Sequence, residues 1–177
     1  MTKLDEFIMG CRIIKEFCRL NKIKQPKMEI SEEIEHVGYY SFSTPDTIYV
    51  NPKMCNKSSK KNNPMMVYEN TVVGTMLHEF GHYLHFTYYP KLAKTWDKIK
   101  NEPLVHYYQR QIDEDIAECI RLAILNPSRL AKGRKKRFAI LSKMFVLDVA
   151  YTPLSIVESY DKKHEKLDIG KWELFLV

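Results

Sequence analysis

Residues 78–82 read His78-Glu79-Phe80-Gly81-His82, a pattern with two imidazoles four positions apart and a carboxylate between them. On a helix, positions four apart lie about 40° apart around the axis and one turn along it, so both rings can reach one metal ion. Glu79 then stands beside them, outside the tetrahedron but close enough to hold and deprotonate a water on the metal. The surrounding stretch 70–88 is periodically apolar, a setting in which a purely solvated pair of histidines would be unusual.

A catalytic zinc site needs a third protein ligand and an open position for water. Asp113-Glu114-Asp115-Ile116-Ala117-Glu118 supplies two carboxylates on one stripe of a helix whose Ile112, Ile116, Cys119, Ile120, Ala123 and Ile124 form a separate apolar face. Of Glu114 and Glu118, one can bind the metal while the other, a turn away, orients the ring of a ligating histidine. Without the pentapeptide the same segment would read as an acidic, solvated face. Gly74 and Gly81 lie seven apart near the histidine stripe, and each costs about 1 kcal/mol relative to Ala inside a helix. They are expected to let the metal, the substrate or the ligand helix come close, whereas Met76, Phe80 and Tyr83 on the other side belong to the core.

The elements that position these groups follow from periodicity. Leu4, Phe7, Ile8, Cys11, Ile14, Phe17 and Cys18 predict an amphipathic helix over 2–22, ended by Pro26. Short segments 27–30, 37–43 and 47–50, rich in aromatic and β-branched residues, predict a three-stranded antiparallel sheet, with Ser43-Thr44-Pro45-Asp46 as the turn between its last two strands. Residues 51–64 read as a loop. The pentapeptide helix stops before Pro90, and a ligand helix is expected from about Leu104 to Leu125, closed by Asn126-Pro127. Helices over 134–148 and 153–166 would follow, giving an α+β fold in one domain, 1–177, with a metal-binding core at 27–127 and a C-terminal helical part at 128–177.

Composition excludes several classes. The 177 residues are 45% hydrophobic and 28% charged, ordinary for a globular chain. No basic region followed by an apolar run opens it and no stretch approaches a membrane span, so a cytoplasmic protein without membrane contact is expected. Cys11, Cys18, Cys55 and Cys119 form no CxxC pair and read as reduced, buried thiols. The net charge of +6 centres on Lys132-Gly133-Arg134-Lys135-Lys136-Arg137. With no interrupting aromatic residue, that run reads as a solvated helix start rather than a nucleic-acid surface.

HEFGH followed by Glu114-x-x-Ala117-Glu118 and Ala123-Ile124-Leu125-Asn126-Pro127 resembles the minimal gluzincin metallopeptidases and the ImmA/IrrE-type peptidases over roughly residues 27–127. The resemblance implies a zincin-like fold, Zn2+ as cofactor, His78, His82 and Glu114 as its ligands, Glu79 as catalytic base and Glu118 as a residue behind the ligands. Glu118 departs from the Asp or Asn common at that position. Metzincins are excluded, because their motif needs Gly at 85 and His at 88, where this chain has His85 and Tyr88. His85 is about 10 Å along the axis from His78, too far for the same ion. His106 is the rival third ligand.

The expected activity is hydrolysis of peptide bonds in a peptide or protein substrate. An oxyanion partner could be His106, Tyr107, Tyr151, Tyr160 or His164, and the last strand of the sheet could pair with the substrate backbone. A regulatory module acting on a dedicated protein partner is the alternative that the ImmA/IrrE resemblance admits. The apolar end, 170–177, is a possible inhibitory segment.

Overall fold

The computed structural model describes residues 2–55, 71–99, 102 and 111–147. The chain opens with α1 (Lys3–Asn21), started by a capping box in which the Thr2 hydroxyl accepts from the Asp5 N–H and the Asp5 carboxylate accepts from the Thr2 N–H. It ends five residues before Pro26. Lys22 takes the left-handed conformation (φ 54°, ψ 40°) and Ile23 donates to the Cys18 carbonyl at 2.9 Å, so a local C-terminal cap, not proline, stops the helix.

Strands β1 (Lys27–Ile30), β2 (Gly38–Tyr40) and β3 (Thr47–Val50) form one sheet in the order β1-β3-β2. The expected purely antiparallel sheet is corrected: β2 pairs with β3 antiparallel, but β1 pairs with β3 parallel. The reason is burial. Ile48 and Val50 of β3 are fully buried, while β1 carries Lys27 and Glu29 in a salt bridge and suits an edge. Residues 31–37 step over the central position, held by buried Asn51, whose amide donates to the Ile34 carbonyl at 2.9 Å and whose side-chain oxygen accepts from the Lys53 N–H. Each connection reverses direction, so placing β3 in the middle makes it parallel to β1. The turn at 43–46 is where the sequence puts it, with the Thr47 N–H donating to the Thr44 carbonyl.

Helix α2 (Val72–Tyr88) follows, with the Thr71 hydroxyl accepting from the Gly74 N–H as its cap. Its first N–H, on Val72, donates to the buried carboxylate of Glu6 at 3.0 Å, which ties α1 to the positive end of α2. Short α3 (Leu92–Asp97) precedes α4 (Ile112–Leu125). α4 starts at Ile112, after an extended Gln111 (φ −87°, ψ 135°), and the part of the expected helix from Leu104 to 110 lies outside the described residues. Asn126 then ends α4 and caps α5 (Pro127–Gly133), accepting from the Arg129 N–H with Pro127 in the first turn, and α6 (Lys135–Met144) completes the described elements. The expected helix at 153–166 and the tail at 170–177 lie outside the described residues.

The core joins α1, the inner face of the sheet, α2 and α4, with Phe80, Tyr83, Met76, Ile116 and Ile120 essentially inaccessible. Helix α2 packs most extensively on α4. Gly81 permits this: a Cβ there would stand 2.6 Å from Ala117 Cα and 2.7 Å from its carbonyl oxygen. Gly81 therefore lets α4 approach α2 closely. Among the described residues no helix is long and apolar enough to cross a membrane.

Candidate metal centre

His78 and His82 project from successive turns of α2, their rings 4.9 Å apart, toward the first turns of α4. Glu114 meets both. Its Oε2 lies 3.0 Å from His78 Nε2 and its Oε1 3.3 Å from His82 Nε2. Donor atoms of these three residues all fall within 4.8 Å of one another. For zinc bonds of about 2.0–2.1 Å in a tetrahedron, ligand atoms stand about 3.3 Å apart, and each imidazole nitrogen lies near that spacing from one of the two Glu114 oxygens. Two nitrogens and an oxygen, without sulfur, suit zinc or another borderline divalent cation.

Behind the donors, Glu118 Oε2 lies 3.4 Å from His78 Nδ1. Glu118 is itself gripped by Arg121, whose Nε donates to Oε2 at 2.8 Å and whose Nη2 donates to Oε1. Both side chains are nearly inaccessible, so Arg121 supplies a permanent positive charge to a buried carboxylate. The line Arg121–Glu118–His78 was not anticipated beyond Glu118, although the spacing of residues 118 and 121 is a helical i,i+3 pair and was the available signal.

The electrostatics reflect how many acids converge here. Burial works against protonation of His78, yet its hydrogen bonds to Glu114 and Glu118 outweigh it and raise the pKa to about 9. Hydrogen bonds from His78 and then His82 hold Glu114 well below the usual carboxylate range. Burial raises Glu118, but His78 and Arg121 more than reverse this and lower it. Glu79 moves the other way: burial raises its pKa, against the lowering influence of the two histidines. It lies on the same turn as His78, with the backbone of Tyr40 as a hydrogen-bond partner.

The sheet comes right up to Glu79. A Cβ on Gly38 would run into the Thr75 methyl and stand 2.9 Å from Glu79 Cγ, so only glycine lets β2 lie this close. Asn51 donates to the Val37 carbonyl at 3.0 Å, which puts the ladder bonds of β2 on its odd-numbered residues and turns the backbone of Gly38 and Tyr40 toward the open edge. The last strand, β3, is paired on both sides and cannot bind a substrate backbone, which corrects the expectation that it would. The open strand beside Glu79 is β2.

His85 points elsewhere. Its Nδ1 is 3.6 Å from Asp113 Oδ1, and burial lowers its pKa, so it neighbours the three donors without joining them. His106, Tyr107, Tyr151, Tyr160 and His164 lie outside the described residues. All four cysteines are free thiols, and burial pushes those of Cys11 and Cys18 up to about 12. The basic run is partly internal. Arg137 is buried, donating to Asp115 Oδ2 at 2.7 Å and to the Glu102 carbonyl at 2.9 Å, and only part of the run faces solvent.

An HExxH helix facing an acidic helix across three convergent donors is the arrangement of a metallopeptidase. The chain belongs to the metallopeptidase toxin 3 family, whose profile matches residues 14–114, more than half of its length and including His78, Glu79, His82 and Glu114. No curated protein and no solved structure matches it. Family membership makes a metal-dependent peptidase acting on a peptide or protein the established class.

Proposed function

We propose that the chain is a zinc-dependent endopeptidase with His78, His82 and Glu114 as ligands, Glu79 as general base and Glu118 as the residue that orients His78. The observation that carries this reading is the convergence of three donors from two packed helices with a part-buried fourth carboxylate alongside. The resemblance of HEFGH and Glu114-x-x-Ala117-Glu118 to the gluzincin and ImmA/IrrE-type peptidases supports the same assignment.

Bound Zn2+ would supply Lewis-acid chemistry, polarising the scissile carbonyl and acidifying a water. Glu79 takes a proton from the attacking water and returns it to the amine that leaves as the C–N bond breaks. Its burial favours this role, since a partly desolvated carboxylate is a stronger proton acceptor than a solvated one. Glu118 accepts from His78 Nδ1, which leaves Nε2 as the metal-facing nitrogen. The open edge of β2 offers backbone groups to an extended substrate, a binding mode with little dependence on side chains.

The test pairs metal content with hydrolysis. Glu79→Gln should retain near-stoichiometric zinc by elemental analysis and lose at least about 100-fold in peptide cleavage, the scale of a missing general base. Glu114→Ala should lose the zinc itself, and undiminished zinc in that variant would overturn the ligand assignment.

A further inference from the structure

Phe42 follows β2 in the turn toward β3 and is 71% exposed, more than any other large hydrophobic residue among those described. Its ring is nevertheless held. It stands edge-on to Phe86 with centroids 4.7 Å apart, and Phe86 lies parallel to Tyr40 (6.1 Å, 7°) and to His82 (5.9 Å, 12°). The Tyr40 hydroxyl is within 3.3 Å of the Thr87 hydroxyl, which fixes that ring against α2. A connected set of aromatic faces therefore runs from a solvent-exposed phenyl to a ring of the metal centre.

We propose that Phe42, Phe86 and Tyr40 form a shelf that receives an aromatic or large apolar side chain of an extended peptide, adjacent to the bond that is cleaved. The occupant follows from continuity. The shelf ends on His82, and the open edge of β2, with Gly38 against Glu79, runs toward Phe42. Phe42 lies two residues beyond Tyr40, at most about 7 Å away along the chain, and the Tyr40 backbone bonds Glu79, so a peptide aligned with β2 carries a side chain past the shelf close to Glu79. An exposed phenyl with an aromatic wall behind it favours an aromatic partner through ring geometry as well as burial. This rests on the peptidase reading.

The experiment uses zinc-loaded Glu79→Gln protein and two fluorescein-labelled Ala/Gly peptides that differ only in a central Phe or Ala. Anisotropy should give about 10-fold tighter binding of the Phe peptide, and Phe42→Ala should bring the two affinities within about 2-fold while leaving the Ala peptide unchanged. Equal affinities in the parent, or a Phe42→Ala variant that weakens both peptides alike, would overturn the shelf. Circular dichroism checks that Phe42→Ala is folded. Zinc-loaded wild-type protein is then tested for cleavage of the Phe peptide: selective binding without cleavage of any peptide would remove the peptidase reading and leave the shelf, whereas cleavage without selectivity would do the reverse.

Discussion

Arg121 touches no donor of the candidate metal centre, yet it grips the carboxylate that faces His78. With its guanidinium on both oxygens of Glu118, the carboxylate has a single placement from which Oε2 reaches His78 Nδ1. Glu118→Gln removes the charge that Arg121 grips and weakens the acceptor for His78. Zinc affinity, read by competition with a chromophoric chelator, should fall by about 10–100-fold, the usual effect of losing a partner behind a metal-binding histidine. Unchanged affinity would reduce Glu118 to a structural counter-ion of Arg121. The residue types of the centre were legible because a helix puts positions four apart on one face, which spacing alone reveals. Arg121 was legible only as an i,i+3 neighbour of Glu118, because its place behind the centre depends on burial.

At the scale of elements, the centre exists because two helices and one strand approach more closely than side chains normally allow. Gly81 lets α4 touch α2, and Gly38 lets β2 reach Glu79. Gly81→Ala would set a methyl 2.6 Å from Ala117 Cα, and backbone cannot yield as a flexible side chain can. The gain in helix propensity, about 1 kcal/mol, is outweighed by overpacking of typically 1–3 kcal/mol, and the donors on the two helices are pushed apart together. Gly81→Ala should therefore lower both thermal stability and zinc affinity, whereas a change in melting temperature alone would show that the helices part without disturbing the donors. The unusual glycine was visible in the sequence within a helix that gains nothing local from it. The mixed sheet was not, since alternation identifies strands but not which is central. That was decided by the burial of Ile48 and Val50 and by Asn51 pinning the step-over loop.

At the scale of the molecule, a second buried cluster holds the far side of α4. Asp115 Oδ2 accepts from Trp96 Nε1 at 2.6 Å and from Arg137 Nε at 2.7 Å, while the Glu102 carboxylate accepts the Arg137 backbone N–H at 3.1 Å. α3, α4 and the first turn of α6 are thereby joined through residues 19 and 22 positions from Asp115, a separation at which no sequence period signals contact. Read as a charge run, Lys132–Arg137 looked solvated. Its last member is the cation that neutralises a fully buried carboxylate. Arg137→Ala would take the Arg137 charge away from buried Asp115, and breaking a buried pair this way costs about 3–5 kcal/mol, a large share of the roughly 5–15 kcal/mol that holds a domain together. Urea denaturation should show that loss in the midpoint. Zinc should still raise the melting temperature of the variant, and a chelator reverse it, because ligand binding to the folded state adds stability independently of the Asp115 cluster. If Arg137→Ala instead abolished the zinc-dependent shift while the protein remained folded, the two faces of α4 would be coupled, and the metal centre would depend on α6 as much as on the helix that carries its histidines.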